Sequence, residues 1–208
     1  MKNQDTIWWI ILNYLCNMSE IVTLYKKEYL VGYLSEDIQP LLEMVLTNYN
    51  AGRNMAKHSD DIRHEDIRIN FTPQLQNIAR TLAEEWNKAF DEEIELCWQN
   101  KEGQDPNSSF WAVVHEKNES TNLHTHESME CYEDGAQVSC AFWVQVPPNS
   151  GDLVFQYNSN PYRLHQEVIK AEPGKFAMFD STLPHFVTKN QSDGLRVVIS
   201  MNFKYKLS

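Results

Sequence analysis

The sequence predicts a mainly β fold, a sandwich or small barrel supported by N-terminal helices. From Ile94 onward, short apolar runs alternate with turns rich in proline and glycine, which is typical of closely spaced strands. Before that point, two stretches repeat apolar residues at helical spacing instead. The chain has 208 residues, which is enough for one domain with a helical extension.

Two helices are predicted in the N-terminal half. The first, near 35–48, follows Ser35-Glu36-Asp37, where a capping serine precedes acids in the first turn. The second, near 73–91, follows Thr72 as cap, with proline at the first helical position. Each helix carries one apolar stripe, which predicts packing against one side of a sheet. A short strand is expected earlier, at 21–24.

The second half of the chain is predicted to consist of strands separated by turns. The strands are expected at 94–98, 110–114, 138–146, 151–155, 167–169, 175–179, 185–187 and 195–203. The segment 138–146 is almost wholly apolar and is ended by Pro147-Pro148, so a buried strand is expected there.

The domain boundaries follow from the same patterns. We expect residues 19–208 to form one domain, in which 19–93 support a β core at 94–208. Residues 1–18 are interpreted as an N-terminal extension, because Met18 opens a more ordinary sequence and is a candidate start. The apolar patch inside this extension is too short to span a bilayer and lacks the flanks of a signal peptide, so no membrane association is expected.

Composition excludes several functional classes. A net charge of −11 argues against nucleic-acid binding, which depends on clustered lysine and arginine side chains. The four cysteines are dispersed and form no Cys-x-x-Cys pair, so neither a disulfide scaffold nor a zinc knuckle is indicated. A reducing cytoplasm is therefore the expected location.

The residues that indicate chemistry are histidines. Side chains two apart in a strand project from the same face, so His124 and His126 are expected to point at one spot. His185 lies at the end of another apolar run. Three imidazoles that converge inside a barrel make an open metal site, and such a site suits iron. Arg196 follows, and a guanidinium presents a planar fork that binds carboxylates.

These motifs occur in a particular order over residues 108–205. They are His124-x-His126, the strand 138–146, Gly151-Asp152-Leu153-Val154-Phe155, Glu172-Pro173-Gly174, the run from Phe179 to His185, and the run from Arg196 to Phe203. In this order they resemble the 2-oxoglutarate/Fe(II)-dependent oxygenase superfamily, and most closely a branch of phage and marine bacteria with His-x-His in place of His-x-Asp. The resemblance implies a double-stranded β-helix, or jelly roll, with N-terminal helices outside it.

The resemblance also implies a function and a metal site. The chain would be a dioxygenase that uses Fe(II), 2-oxoglutarate and oxygen to hydroxylate a small molecule or a protein side chain, with release of succinate and carbon dioxide. His124, His126 and His185 would bind the Fe(II), with His126 standing where most relatives carry a carboxylate. The expected setting is the cytoplasm of a bacterium or of a phage-infected cell.

Three further residues are implied to hold the cosubstrate. Arg196 would pair with the distal carboxylate of 2-oxoglutarate, and Ser200 would donate to the same carboxylate. Trp143 falls near a position where many relatives hold the cosubstrate through a tyrosine, although an indole only donates. The substrate and the oligomeric state are not indicated by the sequence.

Several alternatives stay open at this point. Glu127 would replace His126 as a ligand if the chain turned directly after Thr125. A cupin-type metal protein or three-histidine dioxygenase would use Glu130 as a fourth ligand and would not need Arg196. A non-catalytic jelly-roll binding module is the third possibility. The remaining histidines are not expected to bind the metal; they are His58, His64, His115 and His165.

Overall fold

The computed structural model describes residues 28–55, 67, 69–70, 72–97, 110–126, 136–160 and 162–206. These residues form two helices and ten strands. The helices are α1 (Gln39–Met55) and α2 (Pro73–Phe90). The strands are β1 (Tyr29–Tyr33), β2 (Ile94–Leu96), β3 (Phe110–His115), β4 (Thr121–His124), β5 (Val138–Gln145), β6 (Leu153–Asn160), β7 (Arg163–Ile169), β8 (Lys175–Asp180), β9 (His185–Val187) and β10 (Arg196–Tyr205).

The strands make two antiparallel sheets that face each other. The larger sheet has six strands in the order β1-β8-β5-β10-β2, with β3 also paired to β10. The smaller sheet has four strands in the order β4-β9-β6-β7. One core cluster contains side chains from both sheets, among them Trp143, Phe155 and Phe179. The predicted double-stranded β-helix is confirmed.

A second core lies between the larger sheet and the helices. Leu41 and Val45 of α1, and Leu75 and Leu82 of α2, belong to this cluster and are almost fully buried. The predicted role of both helices as covers for the sheet is therefore confirmed. Within the part of the chain that the structure describes, no helix is long and apolar enough to cross a lipid bilayer.

Alternation along β10 separates the two cores. Val197, Ile199, Met201 and Phe203 pack in the cluster with the helices, whereas Val198 packs between the sheets. Because side chains alternate along a strand, the other residues of the inner face point toward the smaller sheet. Those residues are Arg196, Ser200 and Asn202.

One local expectation was wrong, and one strand was missed. The first helix begins at Gln39 rather than beside Ser35, and the Asp37 carboxylate accepts the backbone N–H of Gln39 at 3.1 Å. Pro40 explains this start, because proline is tolerated in the first turn, where its missing N–H has no helical partner. The N-terminal region also contributes a strand that was not predicted, since β1 pairs with β8. The strand expected at 21–24 lies outside the described residues.

Replacement of Thr72 by alanine is expected to lower the free energy of unfolding by about 1 kcal/mol. The Thr72 hydroxyl accepts the backbone N–H of Leu75 at 3.2 Å and caps α2. Thr72→Ser keeps this hydroxyl and is the matched control. Urea denaturation followed by circular dichroism measures both variants, and equal midpoints for the two would contradict a capping role.

Candidate metal and cosubstrate site

The three predicted histidines converge between the sheets. His124 ends β4, His185 begins β9, and the two residues are direct partners in the antiparallel pairing of these strands. One nitrogen from each of His124, His126 and His185 lies within 4.8 Å of the others. Among the described residues this is the one cluster of three or more side chains that could share a metal ion.

His126 reaches the cluster by a different route from the predicted one. β4 ends at His124, so strand alternation does not carry the chain to His126. Instead, the backbone N–H of His126 donates to the carbonyl oxygen of Ser181 at 2.9 Å, which holds this segment against the turn before β9. Glu127, the alternative ligand, lies outside the described residues, as does Glu130 of the cupin alternative.

Hydrogen bonds on the outer side of the rings indicate which nitrogen carries the proton. Nδ1 of His124 donates to the carbonyl oxygen of Asn122 at 2.8 Å, and Nδ1 of His185 donates to that of Leu183 at 2.9 Å. A carbonyl oxygen only accepts, so both rings carry their proton on Nδ1 when they are neutral. Their Nε2 atoms are then free to bind a metal.

Burial keeps the inner rings neutral. Desolvation lowers the pKa of His185 to about 3. The hydrogen bond to Leu183 opposes this shift, and the neighbouring His124 and His126 add to it. Desolvation is also the main cause that lowers the pKa of His126 to about 4, and His124 again adds to it. Neutral imidazole is the form that binds metals.

The spacing of the rings fits one metal ion. Nε2 of His124 and Nε2 of His126 are 3.0 Å apart. Two nitrogens bound at right angles to one ion, each at about 2.1 Å, are separated by roughly 3.0 Å. Two nitrogen lone pairs that face each other at this distance repel unless a cation lies between them. The donor set therefore fits a first-row divalent metal with positions left for other ligands.

A cavity of about 550 Å³ lies beside the three histidines. Its wall includes Trp111 and Val113 of β3, Leu153 of β6, Phe179 of β8 and Val198 of β10. The volume is within the range of small-molecule binding sites, and the wall is largely apolar. The cavity can therefore hold a small ligand against the metal and exclude water from it.

Arg196 lines the same cavity and is only 2% exposed. Its Nη1 donates to Nδ1 of His115 at 3.0 Å, and Nε2 of His115 in turn contacts the Thr121 hydroxyl at 3.0 Å. The Nε of Arg196 has no hydrogen-bond partner in the described structure. Burial lowers the pKa of Arg196 to about 10, opposed by the charge of Asp152, so the guanidinium is still protonated at neutral pH.

This buried charge needs an anion. No carboxylate among the described residues forms an ion pair with Arg196. A charge that is taken out of water without a partner is strongly destabilising, and a guanidinium is best matched by a bidentate carboxylate. The open cavity beside Arg196 is where such a carboxylate would bind.

The other two predicted cosubstrate residues differ in position. Ser200 lines the cavity on the same strand as Arg196. Trp143 is fully buried in the core between the sheets and is not among the residues of the cavity wall. Its indole N–H has no described partner. The cavity wall therefore gives the cosubstrate role of Trp143 no support, and that role stays a prediction.

The remaining histidines lie apart from the three-histidine cluster where they are described. His115 contacts Arg196, and His165 on β7 contacts the hydroxyl of Ser159 at 2.7 Å. Neither belongs to the group that could share a metal ion. His58 and His64 lie outside the described residues.

Sequence reasoning missed four polar residues around the site. His115 and Thr121 form the hydrogen-bond chain behind Arg196, and Ser139 and Asn202 contact the outer nitrogen of His126. Asn202 could have been found, because it shares the inner face of β10 with Arg196. His115 faces Arg196 only through the pairing of β3 with β10, which no local pattern reveals.

The second half of the chain is similar to a known protein family. Residues 109–202 match the family model described as "Putative 2OG-Fe(II) oxygenase". A search of curated protein sequences found no match.

Solved structures share the fold. A prolyl-4-hydroxylase from Pseudomonas putida is similar with a TM-score of 0.56 and 12% identity over 86% of this chain and 88% of its own. HygX from Streptomyces hygroscopicus, solved with nickel and 2-oxoglutarate bound, has a TM-score of 0.51 and 11% identity over 85% of this chain and 82% of its own. EvdMO1 has a TM-score of 0.57 and 14% identity over 85% of this chain, which spans 47% of EvdMO1.

Proposed function

Residues 109–202 match the model of a 2OG-Fe(II) oxygenase family, and we propose that the chain is such an oxygenase, in which His124, His126 and His185 bind Fe(II) and Arg196 binds 2-oxoglutarate. Enzymes of this class use Fe(II), 2-oxoglutarate and oxygen. Hydroxylation of the substrate, with release of succinate and carbon dioxide, is the reaction that we propose for it.

One observation carries the assignment of the residues. Three imidazoles with outward Nδ1 atoms and one buried guanidinium without a described carboxylate partner line a single cavity. The first group suits a divalent cation, and the second suits the distal carboxylate of a dicarboxylate ligand. 2-Oxoglutarate is such a ligand, since its keto acid end can chelate a metal while its other carboxylate stays free.

Each part of the site has a separate task. When bound, Fe(II) supplies the chemistry that couples oxidation of 2-oxoglutarate to oxidation of the substrate. The imidazoles bind through Nε2, and the hydrogen bonds at Nδ1 fix their orientation. Arg196 holds the distal carboxylate, and Ser200 is placed to donate to it. Apolar side chains such as Leu153 and Phe179 exclude water, which strengthens the charged contacts.

The proposed substrate is a small molecule or a protein side chain. The prolyl-4-hydroxylase among the similar structures acts, by its name, on proline. The proposed location is the cytoplasm, because reducing conditions preserve both Fe(II) and the free thiols of Cys97 and Cys140.

Anaerobic addition of Fe(II) and 2-oxoglutarate is expected to produce the weak visible charge-transfer band of a chelated keto acid. Succinate lacks the keto group and is the matched control, for which no band is expected. With oxygen admitted, the protein should convert 2-oxoglutarate into succinate, measured by chromatography across a panel of candidate substrates. Iron binding without any band would instead favour the cupin interpretation.

A further inference from the structure

A group of polar side chains surrounds the outer nitrogen of His126. Nδ1 of His126 lies 2.9 Å from Oγ of Ser139 and 3.2 Å from Oδ1 of Asn202. The Ser139 hydroxyl donates to Oδ1 of Asn202 at 3.0 Å. Oγ of Ser181 lies 2.8 Å from Oγ of Ser139, and both serines are fully buried. Among the described residues, the outer nitrogens of His124 and His185 each contact a backbone carbonyl oxygen instead.

The protons of this group can be assigned. With Oδ1 of Asn202 facing this group, as the side-chain amide is placed here, the Ser139 hydroxyl donates its single hydrogen to Asn202, and its oxygen then accepts from His126. Oδ1 of Asn202 also only accepts. Nδ1 of His126 is therefore the donor, and its Nε2 is left unprotonated toward the metal position.

The opposite assignment would disable the site. If Asn202 presented its amide nitrogen instead, His126 would accept at Nδ1 and carry its proton on Nε2. That proton would lie in the 3.0 Å gap between His126 and His124, where the metal is expected. The orientation of one amide thus decides whether His126 can be a ligand.

We propose that Ser139 and Asn202 are positioning residues that hold His126 with its Nδ1–H directed outward and its Nε2 directed at the metal position. The inference rests on the proposed function. It explains how His126 can serve as a ligand at the position where most relatives of this kind carry a carboxylate. Two acceptors on Nδ1–H make the ring more basic at Nε2, as outer hydrogen bonds do in other metal sites. The two acceptors thereby compensate in part for the absence of the negative charge that a carboxylate would have supplied.

Titration of the metal-free protein with Co(II), followed by visible absorption, tests the proposal through binding alone. Asn202→Leu keeps the approximate volume of the side chain and removes the acceptor, so affinity is expected to fall by about 10- to 100-fold. Asn202→Asp keeps an acceptor in the same place and is expected to bind at least as tightly as the unchanged protein. Ser181→Ala is the matched control, because Ser181 contacts Ser139 but its side chain does not contact the ring.

Long-range ¹H–¹⁵N spectra of the imidazoles provide a second, metal-free reading. His126 is expected to be protonated at Nδ1 in the unchanged protein and in Asn202→Asp, and to lose this preference in Asn202→Leu. Protonation at Nε2 in the unchanged protein, or equal Co(II) affinity of Asn202→Leu, would overturn the proposal. A protein that shows the expected tautomer but binds neither Co(II) nor Fe(II) would overturn the proposed function instead.

Discussion

Replacement of His185 by alanine is expected to abolish tight Fe(II) binding while leaving the fold largely intact. His185 is 4% exposed, its Nδ1 is held by the Leu183 carbonyl, and its ring packs against that of His124 with centroids 4.3 Å apart. Loss of a ligand should cost more than the roughly 10- to 100-fold that loss of an outer hydrogen bond costs. Two imidazoles would remain, which is too few for tight binding in an open site.

Equilibrium dialysis with Fe(II) under anaerobic conditions, with iron counted per chain, measures this effect. His165→Ala is the matched control, because His165 is exposed on β7 and lies outside the three-histidine cluster. Thermal unfolding of both variants checks that the fold is retained. An unchanged iron content in His185→Ala would show that the three histidines are not the metal site.

Most strands of the double-stranded β-helix could be predicted because their signals are local. The apolar run 138–146 and the alternation at 195–203 correspond to β5 and β10 within two residues at each end. β1 was missed because its residues, Tyr29–Tyr33, become a strand only through pairing with β8, far along the chain. The start of α1 was misplaced because Ser35 and Asp37 are both good capping residues, and it is Asp37 whose carboxylate accepts the N–H of Gln39.

The site was predictable where function requires a particular side chain. His124, His126, His185 and Arg196 were found from residue type and order, and the structure places all four at one cavity. The role of Trp143 stays a prediction, because the sequence does not show how far along β5 the cavity reaches. Trp143 is opposite Val198, and its side chain belongs to the core cluster between the sheets.

Residues that act through others were the least predictable. Ser139 and His115 are polar residues inside apolar strands. The sequence pattern does not distinguish a buried polar side chain that supports the site from one that has no role there. Their partners come from other strands, since Ser139 contacts Asn202 of β10 and His115 contacts Arg196 of β10. Such contacts depend on the register between strands, which a single sequence does not contain.

Replacement of Arg196 by alanine is expected to weaken 2-oxoglutarate binding by roughly 30- to 1000-fold, which corresponds to a charge-assisted, bidentate contact of about 2–4 kcal/mol. Fe(II) binding should scarcely change, because Arg196 is not a ligand. Arg196→Lys is expected to recover only part of the loss, since an ammonium group cannot reproduce the planar fork. With the pKa of Arg196 at about 10, the guanidinium stays charged between pH 6 and 8, so this group adds no pH dependence to binding there.

A third variant, Arg196→Met, separates binding from folding. Methionine has a similar length and no charge, so it removes a buried cation whose described hydrogen-bond partner is the ring of His115. Since a buried charge without a counter-ion is destabilising, the free energy of unfolding should stay the same or rise although 2-oxoglutarate binding is lost. Anaerobic titration of the Fe(II)-loaded variants with 2-oxoglutarate measures affinity, and Arg163→Ala on the exposed β7 is the control. An unchanged affinity of Arg196→Met for 2-oxoglutarate would show that the charge of Arg196 does not bind the cosubstrate.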